Sequence, residues 1–195
     1  MVGLDAEILL HHWGVRSGGC DVFIHGTILS EVLRVTIMDK ELFVLAQRVG
    51  QFLVAQGTTI ALAESCTGGL IAATLTEVAG SSAWFDRGFV TYSNQAKIDL
   101  LGVKPETLQQ YGAVSAETAT QMVSGALAHS NAGCAIAVTG IAGPDGGTLE
   151  KPVGTVFIAW QWRNREAVVV RKKFDGDRQD VRRQTVWIAL EGMVL

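Results

Sequence analysis

The chain has 195 residues, 48% of them apolar and 18% charged, with three prolines and a formal net charge of −3. That balance fits one well-packed globular domain and excludes a disordered chain, and without a basic face it gives no reason to expect nucleic-acid binding. No apolar run approaches the ~20 residues that cross a bilayer, and residues 1–30 lack a secretory pattern. The three cysteines, Cys20, Cys66 and Cys134, are too few for a disulfide framework, so a reducing cytoplasmic setting with no membrane partner is expected.

Residues 1–37 carry no sustained helical or strand period, and Met38-Asp39-Lys40-Glu41 has the form of a protein start. The sequence therefore predicts an N-terminal extension over 1–37, poorly packed or upstream of the native start, followed by a domain over 38–195. His11, His12 and His25 lack the spacing of metal ligands, and no metal site is expected.

Apolar residues from Leu42 to Ala55 recur at helical spacing, and Gly57 stops the helix. A strand over Thr58 to Ala63 leads into a hydroxyl- and glycine-rich turn, and a helix runs from Gly68 to Val78. Phe85 to Tyr92 reads as a strand, Asn94 to Leu101 as a short helix, and Pro105 to Tyr111 as another. Ser115 caps the next helix, which ends near Ser130. A buried strand over Cys134 to Val138 opens into the loop Gly140 to Gly147. Val153 to Trp162 and Glu166 to Phe174 form a hairpin, and Gln179 to Leu195 is the closing helix. This alternation predicts an α/β fold, a three-layer α/β/α sandwich with a mixed, mostly parallel sheet. Arg163, Arg165, Arg171, Lys172 and Lys173 read as a solvated hairpin end. Trp160 and Trp162 share one strand face, as core or as a dimer contact.

Ser65 stands at the end of a core strand and the start of a helix, where backbone donors stabilise an oxyanion; the same residue serves equally as a helix cap. Serine needs a base. His129, the one histidine after residue 25, lies near a helix end, and Lys97 is the alternative if burial keeps its amine neutral. An exposed lysine is the plainer reading. Tyr92 either orients that lysine or packs at a strand end. Cys66 is a rival nucleophile or a packing residue. Thr139 and the glycine loop bind a phosphate or an amide, or merely connect. Arg178 and Arg182, one turn apart, form an anion fork or stay solvated.

Five stretches, Ala63-Glu64-Ser65-Cys66-Thr67-Gly68-Gly69, Tyr92-Ser93-Asn94-Gln95-Ala96-Lys97, Gly112-Ala113-Val114-Ser115, Val138-Thr139-Gly140-Ile141-Ala142-Gly143-Pro144 and Gly176-Asp177-Arg178, occur in order over Met38 to Leu195. In these the chain resembles the CinA C-terminal domain family, which includes stand-alone amidohydrolases of the PncC type. The resemblance implies deamidation of nicotinamide mononucleotide to nicotinic acid mononucleotide and ammonia, with no metal or cofactor. It makes Ser65 the nucleophile, Lys97 its base and Tyr92 an assistant. Glu64, Cys66, Thr67, Gly68, Gly69, Asn94, Thr139, Gly140, Arg178 and Arg182 become substrate-binding candidates, the N–H groups from Cys66 to Gly69 holding the oxyanion. A homodimer is favoured. The competing readings are a non-catalytic nucleotide-binding or interaction module, and an amidase of another small carboxamide.

Overall fold

The structure, a computed structural model, describes residues 40–194. The expected extension, with His11, His12, Cys20 and His25, lies outside the described residues. Helix α1 (Lys40–Ala55) leads to β1 (Ile60–Glu64), α2 (Leu70–Thr76), a 3-10 turn (Ser81–Ala83) and β2 (Phe85–Val90). Three helices follow, α3 (Asn94–Leu101), α4 (Pro105–Tyr111) and α5 (Ala116–Ala128), then β3 (Cys134–Gly140), β4 (Thr155–Trp162), β5 (Val168–Lys173) and α6 (Arg178–Glu191). The strands form one sheet in the order β2-β1-β3-β4-β5. β1 runs parallel to β2 and β3, whereas β3–β4 and β4–β5 are antiparallel, so four of the five strands share one direction.

The central strands are buried on both faces, and their alternation sorts side chains by size. Ile60, Leu62, Ile136, Val138, Val156 and Ile158 face α1, α2 and α6. Ala61, Ala63, Ala135, Ala137 and Ala159 face the layer that holds α3, α4 and α5. Large side chains supply most of the apolar burial on the first face, at about 1.5–3 kcal/mol for each one fully buried. The alanine face lets α5 lie close, and α5 in turn presses on the end of α3. A Cβ added at Gly125 would fall 2.0 Å from the Leu101 carbonyl oxygen. The helix that carries Lys97 is thus fixed by a backbone-to-backbone approach that only glycine allows.

Trp160 and Trp162 pack on the first face; Trp160 Nε1 donates to Ala189 O at 2.8 Å, and Trp162 meets Phe52 edge-to-face at 6.1 Å. Their common strand face is core. Arg163 folds back to donate to Leu127 O, Ser130 O and Ala132 O, satisfying carbonyls in the last turn of α5 and just beyond it. Arg171 lies over the Phe157 ring at 5.9 Å. The basic hairpin end therefore does local structural work.

The connection leaving β1 passes over one face towards β2, and the connection entering β3 returns over the other. The carboxyl ends of β1 and β3, adjacent in the sheet, are therefore the switch point where open α/β sheets hold their ligands.

Candidate active site

Ser65 follows the last residue of β1, and its N–H donates to Val138 O at 3.0 Å, continuing the β1–β3 ladder by one step. On the other side Thr91 N donates to Glu64 O at 2.8 Å. The serine backbone is thus held between two neighbouring strands. The turn after it closes with Gly68 N donating to Ser65 O at 3.1 Å, and Gly68 and Gly69 take φ of 60° and 96°. Two consecutive left-handed residues explain the glycine pair.

Glu64 is 1% exposed, and its carboxylate accepts from Thr67 Oγ1 and from the N–H groups of Gly69, Ile71 and Ala72. One carboxylate therefore caps the first turn of α2, where backbone donors have no partner within the helix. This changes two expectations. Glu64 points into the helix start and not into the cavity described below, so the geometry gives it a structural position rather than a substrate contact. The Gly68 and Gly69 N–H groups, expected to face an oxyanion, are already committed to Ser65 O and to Glu64. Thr67, with no exposed surface, does not line the cavity. That leaves the N–H of Cys66, the residue after the serine, which donates to no other residue.

Lys97 is 1% exposed, at the end of the first turn of α3, a helix capped by the Ser93 hydroxyl accepting from Ala96 N. Its Nζ lies 3.0 Å from Ser65 Oγ, 2.8 Å from Thr91 O and 3.5 Å from Tyr92 O. Among the described residues no carboxylate pairs with it, and burial holds its pKa below the ordinary lysine value. Nζ donates to all three oxygens as it stands; in the neutral form, which burial favours, two N–H groups serve the two carbonyls and the lone pair faces the serine hydroxyl.

Burial pushes the Cys66 thiol up to about 12, so the rival nucleophile is protonated near neutrality. The Tyr92 hydroxyl does not meet Lys97; it accepts from Arg178 Nη2 at 2.8 Å, and the tyrosine approaches the lysine through its main-chain carbonyl. Arg178 Nη1 also donates to Gly143 O at 2.9 Å, joining the glycine loop to the β2–α3 connection. The two arginines of the expected fork diverge: Arg182 Nη2 donates to Thr67 O at 2.7 Å, away from the cavity. Asn94 is exposed at the start of α3 and does not line the cavity either. Thr139 Oγ1 donates to Ala113 O at 2.7 Å and keeps its lone pairs for a further donor. His129 lies at the end of α5, its Nδ1 2.9 Å from Gly125 O.

A cavity of about 200 Å³ opens at the switch point. Ser65, Cys66 and Lys97 form its floor, Thr139, Gly140 and Ala142 one wall, Ala113 and Val114 another, and Tyr92 and Arg178 its mouth. Ala113 and Val114, from the turn between α4 and α5, were not singled out as site residues; the Gly112-to-Ser115 stretch was their sequence signal. A larger groove of about 430 Å³ adjoins it, sharing Ala142 and Arg178 and reaching Pro144, Val153 and Gly176. Among the described residues no group of three His, Cys, Asp or Glu could hold a metal ion, and no helix is long and apolar enough to cross a membrane.

The site thus holds a serine hydroxyl beside a buried amine that has no carboxylate partner among the described residues, at the carboxyl end of a core strand of an α/β sheet. Residues 43–194 match the CinA C-terminal domain, and the chain belongs to that family. It is 53% identical over 153 residues to the nicotinamide-nucleotide amidohydrolase PncC of Escherichia coli (strain K12), a match covering 78% of this chain and 93% of that protein. The protein of the same name from Pseudomonas putida is 53% identical over 77% of this chain and 93% of its own length. A CinA-like protein of Geotalea daltonii is 57% identical over 69% of this chain but only 32% of its own length. Among solved structures, the competence/damage inducible protein CihA from Agrobacterium tumefaciens superposes with a TM-score of 0.79 at 50% identity, covering 82% of this chain and 97% of that one.

Proposed function

We propose that this protein is a nicotinamide-nucleotide amidohydrolase, converting nicotinamide mononucleotide and water to nicotinic acid mononucleotide and ammonia, with Ser65 as nucleophile and Lys97 as general base. The observation that carries the reading is the buried, unpaired Lys97 amine 3.0 Å from Ser65 Oγ on the floor of an open cavity. Relatives at 53% identity bearing that activity in their name support the substrate.

Neutral Lys97 takes the Ser65 proton as Oγ adds to the carboxamide carbon, and the oxyanion meets the Cys66 N–H. The ammonium so formed keeps two N–H groups on Thr91 O and Tyr92 O and delivers the third proton to the departing nitrogen. Ammonia leaves an ester on Ser65. Lys97, neutral again, deprotonates a water that attacks this ester, and the serine recovers its proton. No cofactor enters the balance. The pyridinium ring brings a positive charge into the cavity, which reinforces the neutral form of the amine.

The smaller cavity suits the carboxamide-bearing ring, and the ribose phosphate extends past Arg178 into the adjoining groove. Thr139 accepts from the carboxamide NH₂, and Gly140, whose missing Cβ lets Thr155 and Val156 of β4 come close, continues the wall beside it. In this reading residues 38–195 carry the activity, residues 1–37 are an extension, and the enzyme works in the cytoplasm as a homodimer. The test is ammonia release over a panel of nicotinamide mononucleotide, free nicotinamide and simple amides. Turnover confined to the nucleotide is expected. Thermal stabilisation by the nucleotide without ammonia would instead favour a binding module, and turnover of simple amides a broader amidase.

A further inference from the structure

Arg182 stands in the second turn of α6 and reaches under the nucleophile turn, where its Nη2 donates to Thr67 O at 2.7 Å. It lines no part of the cavity, and its Nε is buried without an acceptor. Its place becomes meaningful when the peptide units are followed. The Thr67 carbonyl shares a peptide unit with the Gly68 N–H, which donates to Ser65 O at 3.1 Å. The Ser65 carbonyl shares the next unit with the Cys66 N–H, the donor beside the serine that serves no other described residue. A guanidinium charge therefore begins a chain of two hydrogen bonds and two peptide units that ends on the oxyanion donor.

We propose that Arg182 is a positioning residue for the amide hydrolysis: it locks the Ser65 to Gly68 turn and, through the two peptide units, polarises the Cys66 N–H towards developing negative charge. The inference rests on the reading of Ser65 as nucleophile. Hydrogen bonds in series strengthen one another, and a cationic donor at the head adds most. The gain appears only when the oxyanion forms, so it belongs to kcat and not to substrate binding. Thr67 Oγ1, held by Glu64 at 2.6 Å, keeps the same residue fixed from its other side. Arg182 then supplies charge as well as a hydrogen bond, and the two are separable by substitution.

Steady-state ammonia release from nicotinamide mononucleotide is compared for the wild type, Arg182→Lys, Arg182→Gln and Arg182→Ala, with the melting temperature of each. Lysine keeps the charge, and glutamine offers a neutral N–H to the same carbonyl. The expected order of kcat is wild type, Lys, Gln, Ala, with a loss of about tenfold in the alanine variant, a fraction of the 10²–10³ carried by a whole oxyanion donor. KM stays within about twofold throughout. Wild-type kcat in a folded glutamine variant overturns the inference, as does a rise in KM at constant kcat, which would make Arg182 a substrate contact. Should the alanine variant not fold, the lysine and glutamine pair decides alone, equal kcat values counting against the proposal. A wild type that releases no ammonia overturns the amidase reading and this inference together; an active wild type with an indifferent Arg182→Gln overturns the inference only.

Discussion

Lys97 has no ionic partner among the described residues, and everything asked of it follows from that. A buried amine without a carboxylate loses more by being charged than any of its three oxygen neighbours returns, which is why its pKa is held down. Ammonia release should therefore rise with pH through the lowered Lys97 pKa and level off below the ordinary value of 10.5. A flat pH profile would remove the lysine from the mechanism. Stability has a matching slope. Between the lowered folded value and the unfolded value the unfolded chain binds the extra proton, so stability from this group rises with pH across that window and is least below it. Thermal melts across that window should show the slope in the wild type and its loss in Lys97→Met, a variant that also loses about 10²–10⁴-fold in turnover. At this scale the sequence was partly legible. Ser65 and Lys97 could be named, but the burial that makes lysine a base is set by α5 pressing α3 onto the sheet, and spacing alone leaves the same residue exposed.

Among the elements, the β1–turn–α2 unit and the α3–α5 contact place the two reactive groups. Glu64 replaces the backbone partners that the first turn of α2 lacks, and it accepts four hydrogen bonds in doing so. Glu64→Ala strands four donors, three on the backbone and one hydroxyl, and should lower stability by about 3 kcal/mol or more, read in denaturant melts. A change below about 1 kcal/mol would mean that water fills the cap. Gly125→Ala should separate α5 from the end of α3 and displace Lys97, with turnover falling more steeply than melting temperature; unchanged activity would show that α3 is fixed by other contacts. Glu64 enters the substrate-binding set through the family resemblance alone. Only the fold reveals that its oxygens turn back into the helix start. The two glycines beside it misled in the same way, because a turn rich in N–H groups becomes an anion site only if nothing in the protein has claimed them.

At the scale of the molecule, strand order does what no single motif could. Apolar and β-rich runs bounded by turn residues were enough to find each strand among the described residues and to expect three layers. Which strand ends lie side by side depends on long-range pairing that periodicity does not carry. The order β2-β1-β3 brings Ser65 and Thr139 to one cleft, and α6 arrives from the far end of the chain to supply Arg178 at its mouth and Arg182 beneath its floor. The binding walls are spread over four segments, so Ser65→Ala should still gain thermal stability from nicotinamide mononucleotide while losing chemistry. Ammonia release by that variant is the most direct measurement of the whole account. A fall on the order of 10⁴-fold or more, with melting temperature and nucleotide binding kept, is the predicted result; turnover near the wild-type rate would contradict the serine mechanism outright.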